Sequence, residues 1–155
     1  MKRIFVIVAG LAMVTFLSCS KKPDTGGTAT QSMANEWWAT IYYPGGSFGP
    51  KALATYNTSA NTNEMWIDDE GNLYEFKVKA QVDLGNLTFK ATSADNEYGS
   101  WKATITDGKI LKDAGRSKTG NVTDSIYMKV VFSDDPGTTY EIRGHARTRF
   151  AEDDY

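Results

Sequence analysis

Few residues in this chain are arranged to do chemistry. In PGGSFGP, residues 44–50, the run Gly45-Gly46-Ser47-Phe48-Gly49 matches G-x-S-x-G, the pattern of a serine nucleophile elbow. Such an elbow lifts its serine on a sharp strand-to-helix turn, beside oxyanion donors at the start of the helix. Behind Ser47 come Phe48, Gly49, Pro50 and a further strand-like segment, so no helix follows. Ser47, an acid and His145 do occur in the order of a triad, but with 19 acidic residues in the chain that order is cheap. His145, the one histidine, stands between Arg143 and Arg147 on the polar face of an alternating segment. It reads as a solvated outer residue whose protonation the arginines disfavour. No catalytic residue is assigned, and a serine esterase using Ser47 is the remotest alternative.

Metal and cofactor chemistry is equally thin. Asp68, Asp69 and Glu70 lack the spaced oxygen ligands of a calcium loop and read as a hairpin turn. Glu152, Asp153 and Asp154 read as a solvated end, and there is no His/Cys cluster for zinc. No metal and no cofactor are expected.

The lone cysteine has a different role. The chain opens MKRIFVIVAGLAMVTFLSCS, in which Lys2 and Arg3 precede an apolar run from Ile4 to Leu17. The run is shorter than the roughly 20 apolar residues that span a bilayer, and it reads as a signal-peptide core. Cys19 follows Phe16-Leu17-Ser18 in the manner of a lipobox, so residues 1–18 are expected to be removed and Cys19 lipidated. Multiple acyl chains on one residue anchor a protein stably, and the expected partner of this end is a membrane. The remainder carries 15 basic against 19 acidic residues, which gives a nucleic-acid partner no electrostatic support. Residues 19–33, rich in Ser, Thr, Gly and Lys without periodicity, read as a flexible tether. Residues 34–155 then form one domain, with no cysteine left to staple it.

That domain alternates with period two. In LYEFKVKAQVD, Tyr74, Phe76, Val78, Ala80 and Val82 take one face and charged or amide residues the other, which predicts a half-buried strand over 73–83. The same test finds strands in EWWATIYY, KALATYN, EMWID, NLTFKAT, SWKATIT, SIYMKVVF and TYEIRGHARTRF, eight in all. Turn chemistry falls at DDEGN, LGN, TDGK and DDPG. LKDAGRSKTGNVTD, residues 111–124, reads as a polar surface loop. Short connections imply antiparallel neighbours. Eight such strands predict an all-β fold, an eight-stranded antiparallel up-and-down barrel without free edges, with a two-sheet sandwich as the alternative.

The segments NEWWATIYY, LATYNTSANTNEMWIDDEGNLYEFKVK, ATITDGKIL, DSIYMKVVFSDD and YEIRGHARTRFAEDD together resemble a family of Bacteroidota lipoproteins labelled "lipid-binding putative hydrolase". The resemblance implies a calycin-like, lipocalin-type barrel. It also implies an outer-membrane destination, since Ser20 follows Cys19, with Lys21 and Lys22 favouring a periplasm-facing orientation over surface exposure. The implied function is binding of an apolar or amphipathic, lipid-like small molecule. Candidate ligand-binding residues in the interior and mouth are Trp37, Phe48, Tyr74, Phe76, Phe89, Trp101, Phe132 and Tyr140. An eight-stranded barrel is just wide enough to be filled by such side chains or to hold one small ligand, and the sequence leaves both open. Arg143, Arg147 and Arg149 would meet a ligand carboxylate only if they faced inward. The alternative of a different class is a structural, assembly or glycan-binding envelope lipoprotein that presents Trp38, Tyr42 and Trp66 to an unidentified protein or glycan.

Overall fold

The computed structural model describes residues 26–155; the expected signal peptide and Cys19 lie outside the described residues. Eight strands follow one another: β1 Asn35–Tyr43, β2 Gly46–Asn57, β3 Glu64–Asp68, β4 Lys77–Asp83, β5 Thr88–Asp95, β6 Lys102–Arg116, β7 Val122–Phe132 and β8 Asp135–Ala146. Each pairs antiparallel with the next, and β8 closes onto β1 from Trp37↔Ala146 to Tyr42↔Glu141, giving a closed up-and-down barrel rather than a sandwich.

The inward rows are those the alternation marks. Trp37, Ala39 and Ile41 on β1, Met65 and Ile67 on β3, Val78 and Ala80 on β4, and Ile126, Met128, Val130 and Phe132 on β7 are all buried. Trp37, Phe76, Val78, Met128, Phe132 and Ile142 expose 1% of their surface or less, so no water-sized void borders them. The polar pair Trp37 and Thr55 in this wall is satisfied. The Trp37 indole N–H donates to Thr55 Oγ1 at 2.9 Å, and the Thr55 hydroxyl donates to the Met33 carbonyl at 2.7 Å. A buried polar group paired in this way avoids the desolvation penalty of an orphan.

Three local readings change. The predicted strand 73–83 begins only at Lys77, because residues 69–76 fold into a loop around Asp69. The expected turn TDGK is a bulge inside β6: Thr106 and Lys109 pair across to Lys129 and Tyr127, three residues against two, with Asp107 at φ 54°. The segment 111–124, expected to be a loop, mostly prolongs β6 and β7 into a hairpin whose turn spans residues 117–121. Its polar outer face and glycine mask a paired strand that carries little apolar alternation of its own.

Packed structure also starts before the expected domain boundary. Thr30 and Met33 are buried, and Thr30 donates its backbone N–H to Asn57 at the β2–β3 end. The chain therefore comes in at one end of the barrel, together with the β2–β3, β4–β5 and β6–β7 turns. The β1–β2, β3–β4, β5–β6 and β7–β8 connections occupy the other end, the mouth.

Candidate functional site

The mouth is organised by a buried carboxylate. Asp69 is fully buried and accepts backbone N–H groups from Gly71, Leu73, Tyr74 and Phe76 at 2.7–3.0 Å. A chain leaving β3 would otherwise run on as a strand. With four amides satisfied at one side chain it coils instead, with Glu75 at φ 58°, and delivers Leu73 and Tyr74 to the opening. Asp68, its neighbour, faces outward and accepts the hydroxyls of Tyr56 at 2.6 Å and Tyr98 at 2.7 Å, with Lys77 at 3.5 Å. The two acids are thus fully engaged as structural acceptors. Among the described residues there is no cluster of three metal-ligating side chains.

The β1–β2 hairpin forms the opposite wall. Gly49 sits at φ 127° in a bulge where Ala39 and Ile41 pair with Lys51 and Phe48. A Cβ on Gly49 would lie 2.7 Å from the Ala39 carbonyl oxygen, so glycine is required there. The extra residue resets the alternation. Directly paired residues share a face, so Phe48 joins inward-facing Ile41 while Ser47 joins outward-facing Tyr42.

Beneath these walls lies an aromatic floor. Tyr74 stacks flat on Phe132, with centroids 3.7 Å apart and planes at 2°, and Tyr140 meets both edge-on at 5.1 and 5.5 Å. The Tyr140 hydroxyl donates to Asp135 at 2.8 Å, and that of Tyr74 to Asp134 at 3.4 Å. Burial first, then the neighbouring aspartate, holds the Tyr140 phenol well above its ordinary range. Tyr74 is raised too, again mainly by burial. Both phenols therefore remain donors at neutral pH. Above them is a cavity of about 260 Å³ lined by Ile41, Tyr43, Phe48, Leu73, Tyr74 and Tyr140, with Phe48 48% exposed at its lip.

The eight candidate aromatics thus separate by position. Phe48, Tyr74 and Tyr140 border the mouth cavity. Trp37, Phe76 and Phe132 plug the interior. Phe89 is buried in the interior as well, and Trp101, half-buried in the β5–β6 connection, packs against that core. Sequence reasoning missed Ile41, Tyr43 and Leu73. Ile41 and Tyr43 fall on one alternating row of EWWATIYY, whereas Leu73 only opens the segment expected to be a strand and has no place in its apolar row.

Several other expectations are corrected. Ser47 pairs with Tyr42 on one edge of β1 and His145 with Trp38 on the other. They stand about 13 Å apart along the strands and about 10 Å across them, too far for a dyad. His145 is not solvated: it lies 6.0 Å from the Tyr155 ring, its Nε2 is buried without a partner, and burial lowers its pKa against the opposing charge of Asp153. Glu152–Asp154 is not a loose end either. Asp153 is buried and accepts from Thr119 and Thr148, whose hydrogen bonds hold its carboxyl far below the usual range against the cost of burial. Arg143 and Arg147 point outward to Glu141 and Asp154, and Arg149 outward to Glu36, so none reaches the interior. Trp66 is covered by Lys77 and Lys79, and Trp38 by Arg147 and Tyr155. Neither offers an open aromatic face for a glycan.

Fold and mouth together define a small antiparallel β-barrel with a filled interior and a shallow apolar opening. The chain belongs to the family described as "lipid-binding putative hydrolase", whose model matches residues 22–151. No curated protein matches it.

Proposed function

We propose that this is a lipid-anchored envelope protein that holds one apolar end of an amphipathic molecule in its mouth. The observation that carries the reading is the contrast between the solid interior and the 260 Å³ apolar cavity lipped by exposed Phe48. Sites for whole drug-sized ligands occupy about 300–1,000 Å³, so this cavity suits a chain end or ring rather than a complete diacyl lipid. The rim selects the remainder. Asp134 and Asp135 accept hydrogen bonds and carry negative charge, which favours a neutral hydroxylated or cationic head over a carboxylate.

The anchor is assigned to Cys19 by its lipobox, in the outer membrane and facing the periplasm. The described chain comes in at the barrel end opposite the mouth, so the mouth opens away from the anchored side. The hydrolase half of the family description gains no support from Ser47 and His145.

The test uses the full chain carrying Cys19→Ser, titrated by calorimetry with monoolein and with oleate below their aggregation limits. Monoolein is expected to bind more tightly than oleate. Phe48→Ser should weaken it by about tenfold, since fully burying a phenylalanine contributes about 1.5–3 kcal/mol and Phe48 is half exposed. Equal affinity in Phe48→Ser would remove the mouth as the site. A mature wild-type protein whose mass shows no acyl chains on Cys19 would remove the anchor.

A further inference from the structure

A broad concavity lies on the barrel's flank, away from the mouth. It has a volume of about 760 Å³, within the range of small-molecule sites, and lies across β4, β5, β6 and β7. Its origin is visible in the register. On the outer face, Asp83, Thr88, Lys109 and Tyr127 pair side by side across the four strands. Thr88 is short and leaves a dip between the longer Asp83, Lys109 and Tyr127 side chains. Gly108, paired with buried Phe89, faces inward, where a Cβ would lie 2.4 Å from the Phe89 backbone oxygen. The hollow is bordered by Val82 and the Tyr127 ring.

Its charge is uneven. Two carboxylates border it and both are engaged: Asp107 binds Lys129 at 2.8 Å, and Asp83 accepts the Asn86 amide at 2.8 Å together with the Gly85 and Asn86 backbone N–H groups. Lys109 Nζ lies 5.1 Å over the Tyr127 ring, and neither Lys109 nor Lys90 has a carboxylate partner among the described residues. Two lysines without an ion-pair partner, on adjacent strands, thus flank Val82 and the Tyr127 ring. We infer that this groove is a second ligand site, for an organic anion whose phosphate or carboxylate lies between Lys90 and Lys109 and whose apolar body rests on Val82 and Tyr127. It is independent of the mouth.

Dodecyl phosphate, inorganic phosphate and dodecyl maltoside, each below any micelle concentration, are titrated against the full chain carrying Cys19→Ser. Dodecyl phosphate is expected to bind, with Kd rising about tenfold or more in Lys90→Gln/Lys109→Gln, and to bind less tightly as salt screens the lysines. Both lysines are exposed, so the double variant should fold as the parent does. Phe48→Ser should leave this binding unchanged, which separates the groove from the mouth. Lysine-dependent binding of inorganic phosphate as well would support the site with a free anion as a sufficient ligand; its failure to bind would support it with the apolar body required. Dodecyl phosphate binding that ignores the lysine pair, or that is matched by the maltoside, would overturn the proposal. So would binding abolished by Phe48→Ser and untouched by the lysines.

Discussion

The mouth and the flank groove are two hollows in one wall, made by opposite means. The mouth is built from added material: the loop of residues 69–76 wraps Asp69, and a glycine bulge swings Phe48 inward. The flank groove is made by omission, where short Thr88 leaves a dip between the longer Asp83, Lys109 and Tyr127 side chains. Their chemistry is opposed as well, with aspartates and phenols at one and unpaired lysines at the other. A barrel whose interior is solid can still carry ligand-sized surface features, and a local bulge decides which chemistry each one shows.

That contrast can be broken most forcefully at the floor the mouth shares with the core. Phe132→Ala removes the ring beneath Tyr74 and should cost about 3–5 kcal/mol in urea unfolding, because a filled core cannot collapse onto the void. If the variant folds, monoolein should bind differently at the mouth while dodecyl phosphate does not notice. Asp69→Ala should cost about 3 kcal/mol, since four amides lose their acceptor. It should abolish mouth binding alone; loss at both sites would mean that the two hollows are coupled through the fold.

Finer tests address the rim. Asp134→Asn with Asp135→Asn should erase the preference for monoolein over oleate, a change of about tenfold at most, read by the same titration.

The smallest effect concerns pH. The outward cluster under Tyr98 is opposed by the burial of Asp68, but its hydrogen bonds win and lower the carboxyl pKa. A depressed folded pKa gives stability that is fully present above the unfolded value of about 3.9 and lost as pH falls through the folded one. Tyr98, pushed up to about 12 chiefly by its hydrogen bond to Asp68, gives stability present below its ordinary pKa of about 10 and lost as pH rises toward 12. Asp68→Asn should therefore flatten urea stability at both the acid and the alkaline edge. Mouth affinity at neutral pH should stay unchanged, because the cluster lies outside the cavity.

Much of the fold is legible in the chain. Period-two alternation is a local signal, and wherever one strand face is buried it survives in the letters, as in Ile126, Met128, Val130 and Phe132. The β6–β7 extension was not legible, because residues 111–124 pair through backbone groups that every sequence carries and show few apolar residues on their inner side. TDGK has the letters of a turn, and only the pairing of β6 with neighbours on both sides turns it into a bulge.

By itself the sequence determined eight strands, their antiparallel order and the faces that turn inward, together with a family resemblance that the match over residues 22–151 bears out. Tertiary structure alone decided which aromatics fill the barrel and which border an opening. Trp37 and Tyr140 look alike in an alternating strand, yet one is sealed against Thr55 and the other lines the mouth. Whether an inward ring becomes plug or wall depends on the side chains that arrive opposite it from distant strands and loops, and no local pattern records that meeting.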